Sequence, residues 1–425
     1  MNPFDEKEIS VESSYMNWKQ MYPKAYDKNA TDPYTKTRII LANGAEFEAN
    51  WFSHNFARHV TDPYLKRELA LGRASEKQQQ LKISLLKSAN ESQLEHTIGY
   101  EQLAVDLTAE LAKREPDCNV KKALDFALLE DFDHLYRYAD LLDMTQGVKA
   151  EYLVGKYTEI MPGRPTVAHH RYPADNVRYP INAKTASTET VLATMIITAA
   201  EQQTMNYYMN VTNLAKTELA RRLYQEIALV EEEHVTHYEA LTDPNATWLE
   251  CWLWHEYTEC FVYWSNYMTE CDPYIKKLWE ENFFIEVGHL KRAEAMLKKY
   301  EKKEAIEVIK NPEFPAPVSL HENIEYVREV LADTVQFTSQ TEGYERVEKL
   351  KPDSKFFYFQ DIINNPVESA PSHIVIEKYI ARNGKDYRYT KKASPVAELR
   401  NQRKDNVDVG RMPGAAPSTN FKCNK

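Results

Sequence analysis

Three histidines of this chain stand three residues after an acid: His134 after Asp131, His234 after Glu231 and His289 after Glu286. On a helix, positions i and i+3 share a face, so each carboxylate–imidazole pair can reach a single ion or proton. Such pairs are cheap, because 64 acids and 12 histidines in 425 residues produce about two of them by chance. The next spacing is less ordinary. Thirty residues before each of these acids stands another: Glu101 before Asp131, Glu201 before Glu231 and Glu256 before Glu286. Oxygen and nitrogen donors without thiolate suit iron or manganese better than zinc or copper(I).

A constant separation has meaning if helices pair antiparallel across a tight turn, because residues equidistant from the turn then lie level. The midpoints support turns. The first falls at Pro116 in "REPDCN" and the third at Cys271 in "TECDPY", both with strong helix breakers. The second falls at Lys216, where Asn213 can end one helix and Thr217 can cap the next. Each hairpin then presents one acid from its first helix and an acid–histidine pair from its second. Two hairpins packed together give a cage of four carboxylates and two histidines, enough for two metal ions.

This pattern resembles the ferritin-like di-iron carboxylate superfamily, in which a lone Glu and a Glu-x-x-His motif recur in two helical hairpins. The resemblance covers roughly residues 85–300. It implies a mainly α fold, a ferritin-like antiparallel helical bundle built from helical hairpins, with an added N-terminal segment and a small mixed C-terminal region. It implies metal ligands at Glu201, Glu231 and His234, at Glu256, Glu286 and His289, and at Glu101, Asp131 and His134. Asp131 stands where the family has Glu, and Glu130 is an alternative. The family needs two half-sites and this chain offers three. The long stretch from about 145 to 190 favours pairing the first with the second, and motif completeness favours the second with the third. The cofactor implied is two iron ions, or manganese, and the reactions implied are those of dioxygen or peroxide. An oxidase or oxygenase acting on a small organic substrate is the expectation. A ferroxidase or peroxide scavenger and a metal-free helical protein are the alternatives.

Around these residues, Glu232, Glu233 and Glu239 are expected on a solvated face and His237 near a pocket. His255 is expected to face away from the site, and His169 and His170 to lie at the surface. Tyr208, Tyr238 and Tyr263 fall within one or two helical turns of candidate ligands. The aromatic stripe "WLECWLWHEYTECFVYW" around Glu256 would make an unpaired carboxylate costly unless a metal holds it.

Composition agrees with helices and narrows the partners. Glycine is scarce, 11 of 425, and no Gly-rich phosphate loop occurs. A net charge of -11 argues against nucleic acid, and no apolar run is long enough for a membrane span. The first residues lack the pattern of a signal peptide, and five scattered cysteines form no CxxC pair, so a reducing cytoplasm is expected. No thiolate cluster or flavin motif supplies electrons, so an external electron donor is expected, and the chain is expected to be a homo-oligomer. Residues 1–80 read as an aromatic-rich N-terminal extension and 81–310 as the ferritin-like bundle. Residues 311–400 read as a mixed region containing the strand-like "SHIVIEKYI", and 401–425 as a disordered tail.

Overall fold

Helix starts in this chain are written in short local signals. A computed structural model describes residues 1–163 and 168–384, and these are mainly helical. In chain order the helices are α1 (Pro33–His59), α2 (Pro63–Ser84), α3 (Gln93–Arg114), α4 (Cys118–Gln146) and the short α5 (Glu151–Val154). They continue with α6 (Thr188–Leu214), α7 (Glu218–Glu239), α8 (Trp248–Thr269), α9 (Pro273–Glu301) and the short α10 (Ala305–Val308). The last three are α11 (Ile324–Thr334), α12 (Lys355–Ile363) and α13 (Pro371–Asn383).

An Asp-Pro-Tyr tripeptide opens α1, α2 and α9, with Asp32, Asp62 and Asp272 as N-caps and the proline as first helical residue. Proline's fixed φ suits that position and its missing N–H costs nothing there. Asp117 and Thr217 cap α4 and α7, and full capping boxes, Ser92 with Glu95 and Thr247 with Glu250, open α3 and α8. Each such cap is worth about 1 kcal/mol. The loops at 115–117, 215–217 and 270–272 contain the three expected midpoints.

Two compact units divide the chain, and they are interleaved in sequence. The first comprises Met1–Glu91, Pro180–Gln203 and Thr242–Leu320. Within it α1 packs on α2, α8 on α9, α1 on α8 and α2 on α9, so two hairpins close on one another. The N-terminal segment straps onto this group, with Ile9 N donating to Phe284 O at 2.8 Å. Glycine at position 288 lets the strap in, since a Cβ there would stand 2.1 Å from the Ile9 carbonyl oxygen. Residues 1–80, expected as an extension, pack within this unit. They supply α1 and most of α2, whose buried apolar faces are covered by α8 and α9.

Among the described residues the second unit comprises Ser92–Tyr179, Thr204–Leu241 and residues 321–384. Its α3–α4 hairpin packs α4 against α7, and α11 and α13 cover α4. A two-stranded antiparallel hairpin, β1 (Phe337–Gln340) and β2 (Gly343–Arg346), pairs Phe337 with Arg346 and Gln340 with Gly343. The strand expected at "SHIVIEKYI" is instead α13, with Pro371 at its first turn and Val375, Ile376 and Tyr379 buried at helical spacing. Helix α6 passes from the first unit into the second between Gln203 and Thr204. The expected tail, 401–425, lies outside the described residues. Among the described residues no helix is long and apolar enough to cross a membrane.

Candidate metal centres

The second unit gathers the predicted residues of the first hairpin with Glu231 and His234 of the second. Glu101 on α3 is fully buried and accepts a hydrogen bond from the Tyr208 hydroxyl. His134 Nδ1 on α4 lies 2.9 Å from Glu231 Oε1 and 3.9 Å from Glu101 Oε2. His234 Nδ1 on α7 lies 3.2 Å from both Asp131 Oδ1 and Glu231 Oε2, while its Nε2 meets Glu130 Oε2 at 2.9 Å. Glu231 thus belongs to two sets, one with Glu101 and His134, the other with Asp131 and His234. The ligand atoms of each set lie within 4.8 Å of one another. Glu201 is buried on α6, in the first unit's share of that helix. Tyr208 follows it by two helical turns on the same face.

These approaches are close but poorly directed. Both oxygens of Asp131, both of Glu231 and Nδ1 of His134 have no hydrogen-bond partner. Donor atoms crowded together without bonding one another fit a cation between them, because buried polar groups ordinarily find partners. The electrostatics separate the two acids. Burial would raise the Glu231 carboxyl, but His134 and His234 hold it well below the usual range. Burial outweighs His234 at Asp131 and raises it.

A charged network backs this cluster. Arg171, fully buried, meets Glu130 Oε2 at 3.1 Å and Glu233 Oε2 at 3.0 Å. His170 lies 3.7 Å from Glu226 and 3.6 Å from Glu233, which together raise it to about 10 against the effect of burial. His169 Nε2 meets Asp133 Oδ2 at 2.9 Å. His169, His170 and Glu233 are therefore buried, contrary to the surface expected for them, because the cationic run His169–His170–Arg171 pairs with acids of α4 and α7. Glu232 and Glu239 are exposed as expected. His237 is buried against Tyr344, whose hydroxyl lies 3.0 Å from its Nε2, and Tyr238 packs edge-on to its ring.

The first unit builds a second cluster, and one of its hairpins carries glutamine where the others carry histidine. Glu46 on α1 precedes Glu76 on α2 by thirty residues, and Gln79 follows by three, with glutamine in the histidine place. Gln79 Nε2 donates to Glu46 Oε1 at 3.1 Å and to Glu286 Oε1 at 2.5 Å. His289 Nδ1 lies 3.1 Å from Glu286 Oε2, 3.8 Å from Glu256 Oε2 and 4.0 Å from Glu76 Oε1. Glu259, one turn after Glu256, joins Glu256 and Glu286 in a second set, so Glu256 is shared as Glu231 is. The Tyr263 hydroxyl donates to Glu46, and Trp252 Nε1 donates to Glu256. His255 does face elsewhere, pairing with Glu48 at 2.8 Å.

Five carboxyl groups, Glu46, Glu76, Glu256, Glu259 and Glu286, surround one imidazole here, all at most 2 % exposed. Among the described residues no lysine or arginine forms an ion pair with them. Burial and mutual repulsion push Glu76 up to about 7 and Glu46, Glu256 and Glu259 well above the carboxylate range, while the acids raise His289 to about 9. Oε2 of Glu46, Glu76 and Glu256, both oxygens of Glu259 and Nε2 of His289 lack a hydrogen-bond partner. Such a cluster must take up protons or cations. The thirty-residue spacing found three times with histidine thus occurs a fourth time with glutamine. The first described hairpin joins the last, while α3, α4 and α7 bring Glu101, Asp131, His134, Glu231 and His234 together in the second unit.

Compared with family models, curated proteins and solved structures, the chain matches none of them. The functional reading accordingly rests on the two clusters themselves.

Proposed function

We propose that each unit holds a dinuclear carboxylate–histidine metal centre of the ferritin-like kind, and that the chain is an oxidoreductase acting with dioxygen or peroxide on a small organic molecule. What carries the reading is the doubled sharing: Glu231 in one cluster and Glu256 in the other each belong to two sets of ligand atoms, as a carboxylate between two ions would. In the second unit the holding residues are Glu101, Asp131, His134, Glu231 and His234. Glu201, buried on the first unit's share of α6, stays a candidate on its thirty-residue spacing from Glu231 alone. In the first unit they are Glu46, Glu76, Glu256, Glu286 and His289, with Glu259 beside them. Iron or manganese pairs bound there would supply the activation of dioxygen or peroxide.

The protein's own groups do the rest. Gln79 orients Glu46 and Glu286 through one amide nitrogen. Tyr208 and Tyr263 hold protons against Glu101 and Glu46, their hydroxyls raised well above the ordinary tyrosine range, first by burial and then by those carboxylates. Glu130 fixes the outer nitrogen of His234 and is itself fixed by Arg171, the kind of outer contact that orients a metal-binding imidazole. Electrons are assigned to an external donor.

The reading is tested by loading the full chain with iron or manganese and following dioxygen or peroxide consumption with a chemical reductant. Consumption that falls in Glu231→Ala and in Glu256→Ala is the expected result. A metal-loaded protein that consumes neither oxidant leaves a metal-handling role in its place.

A further inference from the structure

Beside the acid cluster of the first unit lies a cavity of about 80 Å³. Its walls are largely apolar: Leu41, Ala45 and Ala49 from α1, Ile196 and Ala199 from α6, and Val262 from α8. Several polar groups on the wall are already engaged. Thr198 Oγ1 donates to Thr194 O and Thr258 Oγ1 to Trp254 O, both at 2.7 Å, and His255 is paired with Glu48. Glu259 differs. It lines the cavity, it is 2 % exposed, and neither of its oxygens has a hydrogen-bond partner.

We propose that this cavity binds a small aliphatic molecule bearing a single hydrogen-bond donor, a hydroxyl or an amine, whose donor end meets the Glu259 carboxyl group. The apolar walls take the hydrocarbon, because a cavity of this kind gains little from water. The single unpartnered acceptor fixes the orientation, since a buried acceptor left without a donor is costly and a ligand that supplies one is preferred. The volume suits a short chain. An engineered cavity of roughly 150 Å³ accepts benzene, and this one is smaller. Glu259 also stands in a ligand set with Glu256 and Glu286, so the donor end of a bound molecule lies at the cluster. The proposal takes its catalytic meaning from the metal-centre reading, but binding itself needs no metal.

Met195 lines the same cavity and offers a reporter. In the metal-free full-length chain labelled at methionine methyl groups, 1-butanol is titrated while the Met195 signal is followed, with n-pentane as the counterpart lacking a donor. The expected result is a saturable shift with 1-butanol that is lost in Ala199→Leu, which fills the cavity; Ala45→Leu serves if that variant does not fold. Glu259→Met should weaken 1-butanol about fivefold or more and leave n-pentane no weaker. No saturable shift in the native chain, or undiminished binding in the filled variant, overturns the site. Equal 1-butanol affinity in Glu259→Met overturns the role of Glu259. Metal content measured in parallel separates this from the metal-centre reading, because Ala199→Leu alters the cavity and none of the proposed ligands.

Discussion

The side-chain nitrogen of Gln79 donates to the carboxylate of Glu286 at 2.5 Å, across 207 residues of chain. The same nitrogen donates to Glu46, so one neutral amide ties together acids from two other helices. In the other three repeats of the thirty-residue pattern a histidine occupies this place. An imidazole can accept a proton or a metal, whereas the amide nitrogen can only donate. The two clusters therefore share a plan and differ in chemistry, and the first unit's cluster carries more acid per base.

Removing that donor should be felt even without metal. Gln79→Ala leaves Glu46 and Glu286 short of a buried hydrogen bond, a loss of about 1–3 kcal/mol. Urea unfolding of the metal-free chain measures it. A variant as stable as the native chain would show that the amide does not hold the two acids.

The acid cluster gives the metal-free protein a specific pH dependence. Glu76 has its carboxyl raised from 4.5 to about 7 in the folded state, so its contribution is fully present below about pH 4.5 and is lost as pH rises through about 7. The loss is on the order of 3 kcal/mol for such a shift. Glu231 works in the opposite direction, its depressed carboxyl costing stability as pH falls. Between pH 5 and 7.5, Glu76→Gln should flatten the decline seen in the native chain. Identical slopes in the two proteins would contradict the burial and repulsion described for Glu76.

Arg171 is the countercharge for Glu130 and Glu233. Arg171→Met leaves both acids buried without it, and breaking a buried pair in this way costs about 3–5 kcal/mol. The urea midpoint should fall steeply with the slope of the transition unchanged. A shift of only a few tenths of a kcal/mol would mean that water or another cation reaches these acids.

Gly288 sits one residue before His289, against the N-terminal strap. A methyl group there meets the Ile9 carbonyl oxygen at 2.1 Å, backbone that has no soft way to yield. Gly288→Ala should release the strap, seen as faster proteolytic cleavage within the first twenty or so residues while the helices stay protected. Cleavage at the native rate would show that the segment tolerates the displacement.

Much of the local structure was legible because it is governed by local chemistry. Thr217 begins a helix where a short polar side chain can satisfy orphan N–H groups, and the loops around Pro116 and Cys271 fall where breakers stop the apolar periodicity. The pairing of hairpins was not legible, since it depends on contacts between segments far apart in sequence. Gln79 was hidden by its type, although its spacing from Glu46 and Glu76 is that of the other repeats. His169, His170 and Glu233 were misplaced for a related reason: each is buried only because a partner, Asp133, Glu226 or Arg171, arrives from elsewhere. "SHIVIEKYI" reads as a strand from its β-branched residues, and packing against α4 and α7 makes it a helix.

The central claim is that two separate dinuclear centres exist, one in each unit, and metal content per chain tests it most directly. The native protein, grown with iron or manganese and purified, is predicted to hold about four ions, two for each carboxylate–histidine centre. Glu231→Ala and Glu256→Ala should each lose about half, and the double variant should lose nearly all. A well-folded native chain without tightly bound metal, or one in which Glu231→Ala alone empties every site, would contradict the account.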